Sequence, residues 1–127
     1  MKETNIQNRI LLAVSNGKTR LFRNNTLQAT AGQIASRNGS TWVIKNARAV
    51  RVGLCPGSSD LIGFKTITIT PEMVGKQIAV FTAVEVKTKT GRVSKQQKKF
   101  ISLIKNAGGL AGVARSPEQA KEILNGI

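Results

Sequence analysis

The stretch Gln77–Thr88 constrains the fold more than any other part of the chain. It is rich in Val, Ile, Phe and Thr, and apolar residues occupy both of its faces for most of its length. A strand that is apolar on both sides is stable only when both sides are covered, which predicts a central place in a sheet. The residues that follow are strongly punctuated. Lys89-Thr90-Gly91-Arg92 reads as a basic turn, and Ser94 as the N-cap of a helix running to about Asn106, where Gly108-Gly109 stop it. Leu110–Ala114 reads as a short strand. Ser116-Pro117-Glu118 then opens a last helix, with Ser at the N-cap and Pro at the first helical position.

The first half is less regular. Glu3–Val14 predicts a helix, because Ile6, Ile10, Leu11 and Val14 fall on one stripe. Thr19–Arg23 is a short strand candidate, and Asn24-Asn25 a turn. The segment from Thr26 to Gly39 reads as a loop with room for a hairpin. Trp42–Ile44 and Ala49–Val52 are short and extended, and Leu61–Thr70 is mostly strand. The Pro56-Gly57-Ser58-Ser59 turn delivers the chain to Asp60. With 127 residues and no repeat, the pattern predicts one domain over 1–127, of α/β or α+β type with a mixed sheet.

Charge narrows the partners. Lys plus Arg number 20 against 6 for Asp plus Glu, a formal net charge of +14, which favours a polyanion such as DNA. The basic residues are spread from Lys2 to Lys121, with no lipidation motif, so a membrane-surface protein is disfavoured. The polar amino terminus predicts an intracellular, soluble protein. The absent residues exclude chemistry as well. Without His there is no Ser-His or Cys-His nucleophile, and with Cys55 alone there is neither an internal disulfide nor a Zn site of the usual ligands. Without Tyr there is no phosphotyrosyl intermediate. If the chain is an enzyme, the residues left to it are carboxylates and lysines, which points to work with a hard metal ion. Five aromatic side chains are too few for a single-strand stacking platform.

Glu85 and Lys87 stand two apart near the end of the apolar strand, so they share one face while Val84 and Val86 take the other. They read either as a strand-end ion pair or as part of a site. Asp60 is the only Asp in the chain, at the start of the strand preceding this one; it is either an Asx-type turn residue or a partner for Glu85. Two adjacent carboxylates repel unless a cation such as Mg²⁺ joins them. Gln97 falls on the helix stripe with Phe100, Ile101 and Ile104, where its amide needs a partner, structural or catalytic.

Taken in order, Asp60-Leu61-Ile62-Gly63, Glu85-Val86-Lys87, Gly91-Arg92-Val93-Ser94 and Gln97-Lys98-Lys99-Phe100 resemble the virus-type replication-repair nuclease (VRR-NUC) domain of the PD-(D/E)xK superfamily. Phe22-Arg23-Asn24, Gly108-Gly109 with Val113, and Ser116-Pro117-Glu118 extend the likeness over nearly the whole chain. It departs from the superfamily name in one place, since Ser59 rather than Pro precedes Asp60. The resemblance implies an α/β, restriction-endonuclease-like core with a mixed central β-sheet flanked by helices. It implies Mg²⁺ or Mn²⁺ held by Asp60, Glu85 and the backbone carbonyl of Val86, with Lys87 and Gln97 at the active centre and Glu3 serving a second ion or its water. Lys89, Arg92, Lys95, Lys98 and Lys99 are the expected DNA-binding residues. Stand-alone phage and bacterial members of similar size imply a cytoplasmic homodimer that cuts four-way (Holliday) junctions, and the apolar residues of Trp42–Ile44 and Thr26–Ile34 are candidates for its interface. A flap- or nick-type nuclease and a non-catalytic basic DNA-binding protein are the competing expectations.

Overall fold

The computed structural model describes residues 2–127. In chain order the elements are α1 (Glu3–Val14), β1 (Thr19–Arg23), β2 (Leu27–Asn38), β3 (Thr41–Val52), β4 (Leu61–Lys65), a 3-10 turn (Pro71–Met73), β5 (Thr82–Val86), α2 (Lys95–Asn106), β6 (Leu110–Ala114) and α3 (Pro117–Leu124). Among the described residues the strands form three two-stranded sheets, β1–β4, β2–β3 and β5–β6. The β2–β3 pair is antiparallel and the β5–β6 pair parallel, so both pairing senses occur, in small ladders rather than one continuous sheet. The chain divides into two compact units: Met1–Val14 with Leu21–Gly63, and Ser15–Arg20 with Phe64–Ile127.

The second unit is built around β5–α2–β6–α3. Parallel neighbours need a crossover, and α2 supplies it; the register runs from Thr82 opposite Leu110 to Val86 opposite Ala114. Helix α2 begins with a capping box. The Ser94 hydroxyl accepts from the Gln97 backbone N–H at 3.0 Å, and the Gln97 side-chain oxygen accepts from the Ser94 N–H at 2.8 Å. It ends in a Schellman motif: Gly109 N–H donates to the Ile104 carbonyl at 2.9 Å and Gly108 N–H to that of Lys105 at 3.0 Å. Gly108 sits at φ 96°, where a side chain would be strained. Both α2 and α3 contact both strands, and the small side chains of Ala111 (8% exposed) and Ala114 (3%) let them approach closely around Ile104 (1%).

Strand β5 is shorter than the Gln77–Thr88 run suggests. A ladder extends only as far as its partner, and β6 has five residues because Gly108 and Gly109 are spent on ending α2. Residues 77–81 are therefore irregular, although Phe81 still accepts from the Leu110 N–H at 3.0 Å and its ring lies 5.5 Å from that of Phe64. The Leu61–Thr70 expectation also contracts, to Leu61–Lys65, because Thr66 turns to other partners: its N–H donates to Lys18 O at 2.6 Å and its hydroxyl to Ala107 O at 2.8 Å.

In the first unit α1 has its expected bounds. The segment read as a loop is instead β2, which pairs with β3 over nearly its whole length. Gly39, at φ 60°, takes the first position of a two-residue hairpin loop, where positive φ matches the twist of the flanking strands. Register shifts at Ala31/Gln33 and Ile34/Ser36 mark bulges, and Asn46 adopts φ 52° beside the first of them.

Candidate active site

Glu85 and Lys87 lie at the carboxyl end of β5 and immediately beyond it, where the Lys87 N–H continues the ladder to Ala114 O at 3.1 Å. The period of two puts their side chains on one face, and Lys87 Nζ stands 3.2 Å from Glu85 Oε1. At 21% (Lys87) and 31% (Glu85) side-chain exposure this pair is still in contact with water, so its net contribution to stability is no more than about 1 kcal/mol. Its effect is geometric: it fixes where the carboxylate points.

Gln97 holds the same oxygen from the other side. Its Nε2 donates to Glu85 Oε1 at 2.8 Å while its Oε1 accepts from the Ser94 N–H. Only one orientation of the amide satisfies both contacts, since the reverse would oppose oxygen to carboxylate and N–H to N–H. One glutamine thus caps α2 and orients Glu85. The partner demanded by its place on the helix stripe is Glu85. The signature Ser94-x-x-Gln97 would have identified the capping role from sequence alone. Phe100, on the same stripe, is 40% exposed rather than buried. Glu85, Gln97, Ser94, Gln96 and Phe100 border a depression of about 470 Å³.

Beyond Lys87 the basic turn is tied down by Arg115, a residue that no local sequence signal points to. Its Nη1 donates to the Thr88 carbonyl, to Lys89 O at 3.3 Å and to Gly91 O at 2.8 Å. Its own N–H donates to the Gln119 side chain at 2.7 Å, which links the turn to α3. Lys89, Arg92, Lys95, Lys98 and Lys99 are all exposed on this turn and on α2.

The structure thus brings together Glu85, Lys87 and Gln97; Asp60 and Glu3 belong to the other unit. There, two consecutive residues position the segments that carry them. Asn24, the only buried polar residue among those described, binds both ends of the 54–60 loop. Its Oδ1 accepts from Leu54 N–H at 2.9 Å, and its Nδ2 donates to Ser58 Oγ at 2.7 Å and Ser59 O at 2.9 Å. Its backbone N–H donates to Asp60 O at 2.8 Å. Arg23 donates to Gln7 Oε1 at 2.5 Å and to Asn8 Oδ1, latching the helix that bears Glu3. Reading Asn24-Asn25 as a turn missed this role, because its side-chain partners lie thirty or more residues away.

Among the described residues no group of three or more His, Cys, Asp or Glu is gathered so as to hold a metal ion, and Glu85 is the one carboxylate of this cluster; its oxygens are of the hard type a divalent cation takes. Lys87 and Gln97 both hold Glu85 at Oε1, and a carboxylate already oriented by neighbours is the ligand type such ions take. An oriented carboxylate, an adjacent ammonium and a rim of exposed cations together can bind a phosphodiester and stabilise charge on it.

The family model for the VRR-NUC domain matches residues 6–118. No curated protein and no solved structure matches the chain.

Proposed function

The chain belongs to the VRR-NUC domain family, a nuclease family whose substrate is DNA and whose members typically use a divalent metal, and from that premise we propose that it is a metal-dependent, structure-specific DNA endonuclease that resolves four-way junctions as a homodimer. The observation that carries the reading is the convergence of Lys87 and Gln97 on the Glu85 carboxylate within the matched residues.

In this reading the whole chain is one restriction-endonuclease-like domain. Asp60, Glu85 and the carbonyl of Val86 would hold Mg²⁺ or Mn²⁺, and Glu3 would serve a second ion or its water; a cation held there would supply Lewis-acid polarisation of the scissile phosphate and acidification of a water. Gln97 keeps the Glu85 carboxylate turned toward its ligand. Lys87 orients the attacking water and places its ammonium where the phosphate gains negative charge. Lys89, Arg92, Lys95, Lys98 and Lys99 hold the neighbouring phosphates; if all five do so, log K falls against log salt with a slope of roughly −4 to −5. A four-way junction needs two symmetric cuts, and a two-fold dimer supplies two sites without further sequence. No helix among the described residues is long and apolar enough to cross a membrane, and we place the activity in the cytoplasm.

The test is a panel of labelled four-way junction, flap and linear duplex incubated with Mg²⁺, Mn²⁺ or EDTA, with light scattering at micromolar concentration. Paired nicks on the junction by a dimer, lost in EDTA, are expected. A monomer that cuts flaps and spares junctions replaces the substrate assignment, and binding without cleavage in any metal replaces the enzyme with a DNA-binding protein.

A further inference from the structure

The β2–β3 hairpin takes no part in the site described above, yet it is the longest regular element pair of the chain, with two strands of 12 residues. From residue 33 to residue 45 every position except Ile44 is exposed. Arg37, Lys45, Arg48 and Arg51 are all exposed on it, and no Asp or Glu occurs between Glu3 and Asp60. The register distributes the cations over both faces. Arg48 lies opposite Ala31 and Arg51 opposite Gln28, three residues apart on one strand and so on opposite faces, while Lys45 lies opposite Gln33. Near the tip, Arg37 stacks over the ring of Trp42 at 4.4 Å. Stacking occupies the flat face of a guanidinium and leaves its N–H edge, with its full charge, pointing outward.

We propose that this hairpin is a second DNA-contacting element, a cationic ribbon that lies in a groove of duplex DNA. This rests on the reading that DNA is the substrate, and it assigns a separate binding surface. The dimensions fit. Twelve residues at about 3.3 Å each span roughly 36–40 Å, close to one duplex turn of about 34–36 Å. Two strands about 5 Å apart, with their side chains, enter a major groove about 12 Å wide. A ribbon inside a groove has a phosphate strand on either side, which suits cations on both of its faces. Gln28 and Gln33, paired across from Arg51 and Lys45, carry amides able to donate to and accept from base edges or phosphates. The bulges increase the coil of the ribbon and so help it follow a groove. Charge also selects DNA over a second copy of the chain, since two such hairpins meeting would bring like charges together with no acidic residue between them.

The single Trp of the chain is Trp42, so intrinsic fluorescence reports on the hairpin in the unaltered protein. In EDTA, a 30-base-pair duplex is expected to quench Trp42 emission, and salt to reverse the quenching. Emission unchanged at saturating duplex overturns the proposal. Emission that changes with protein concentration in the absence of DNA makes the hairpin a subunit interface, and also overturns it. A charge-matched pair of variants gives the second arm, read by fluorescence anisotropy with the same duplex in EDTA. The triple variant Lys45→Gln, Arg48→Gln, Arg51→Gln is expected to lose at least about tenfold in affinity and to flatten the salt slope by roughly 2–3. The triple variant Lys18→Gln, Lys105→Gln, Lys121→Gln is expected to lose less than about threefold over the same range. Equal losses overturn the proposal. Because binding is read without metal, a failure of cleavage in Mg²⁺ leaves this result standing, and the two readings fail separately.

Discussion

The Glu85 region and the Asp60 region are organised in opposite ways. Around Glu85 the side chains act on the carboxylate itself: Lys87 at 3.2 Å and Gln97 at 2.8 Å both hold Oε1. Around Asp60 the protein acts on the backbone. Asn24 grips Leu54, Ser58, Ser59 and the Asp60 carbonyl, and so fixes the loop that carries the exposed carboxylate. One group is oriented directly, the other through the segment that carries it. Substitutions should therefore separate orientation of a ligand from placement of a segment.

The largest effect is expected from removing either carboxylate. Asp60→Asn and Glu85→Gln should each weaken Mn²⁺ binding, read by calorimetry, by about a hundredfold or more, the upper end of what losing even an outer partner costs. A variant that binds Mn²⁺ like the parent removes its residue from the proposed ligand set. Next comes Asn24→Ala. It leaves the Leu54 N–H, Ser58 Oγ and Ser59 O without their side-chain partner while the backbone bond to Asp60 O remains, and the cost should be about 2 kcal/mol in urea unfolding, within the usual range for a buried hydrogen-bonding group. An unchanged urea midpoint would show that the loop is held by something else.

A smaller effect distinguishes the two roles of Gln97. Gln97→Met should cost about 1 kcal/mol of stability through the lost cap and about tenfold in Mn²⁺ affinity through the lost Glu85 contact. Ser94→Ala should cost a similar stability and leave Mn²⁺ affinity within about twofold, because it removes the cap alone. Matching affinity losses in the two variants would mean that Gln97 acts only through the helix. The smallest effect is expected from Arg115→Met: an exposed residue, it holds only the 88–91 turn, and the change in stability should stay below about 1 kcal/mol. Proteolytic nicking at Lys89 or Arg92 should nevertheless quicken, and an unchanged cleavage pattern would remove Arg115 as the clasp of that turn.

Legibility in the sequence followed the same division. The bounds of α1, α2 and β6 and the start of α3 could be read because their signals are local: periodicity, Ser caps, Pro at the first helical position and paired glycines at an end. The Glu85–Lys87 juxtaposition could be read because strand periodicity is local too. Strand β2 was hidden, since Gln28, Thr30 and Gly32 look like loop residues and become a strand only through pairing with β3, while Gly39 gave the single turn signal. The lengths of β4 and β5 were overestimated because composition reports what can extend and not where the partner strand stops. The side-chain hydrogen bonds of Asn24 and Arg115 reach across 24 or more residues of chain, and no local pattern encodes them.

The central claim is that the Glu85–Lys87–Gln97 cluster is where DNA is cut. Single-turnover cleavage of a labelled four-way junction in Mg²⁺ by the parent chain and by Lys87→Ala, with binding of the same junction measured in EDTA, tests it most directly. The account predicts a cleavage rate lower by about 10²–10³, the usual cost of removing one group that stabilises charge in a transition state, with junction affinity within about threefold of the parent. A Lys87→Ala protein that cuts as fast as the parent, or one that loses affinity and cleavage by the same factor, would contradict it.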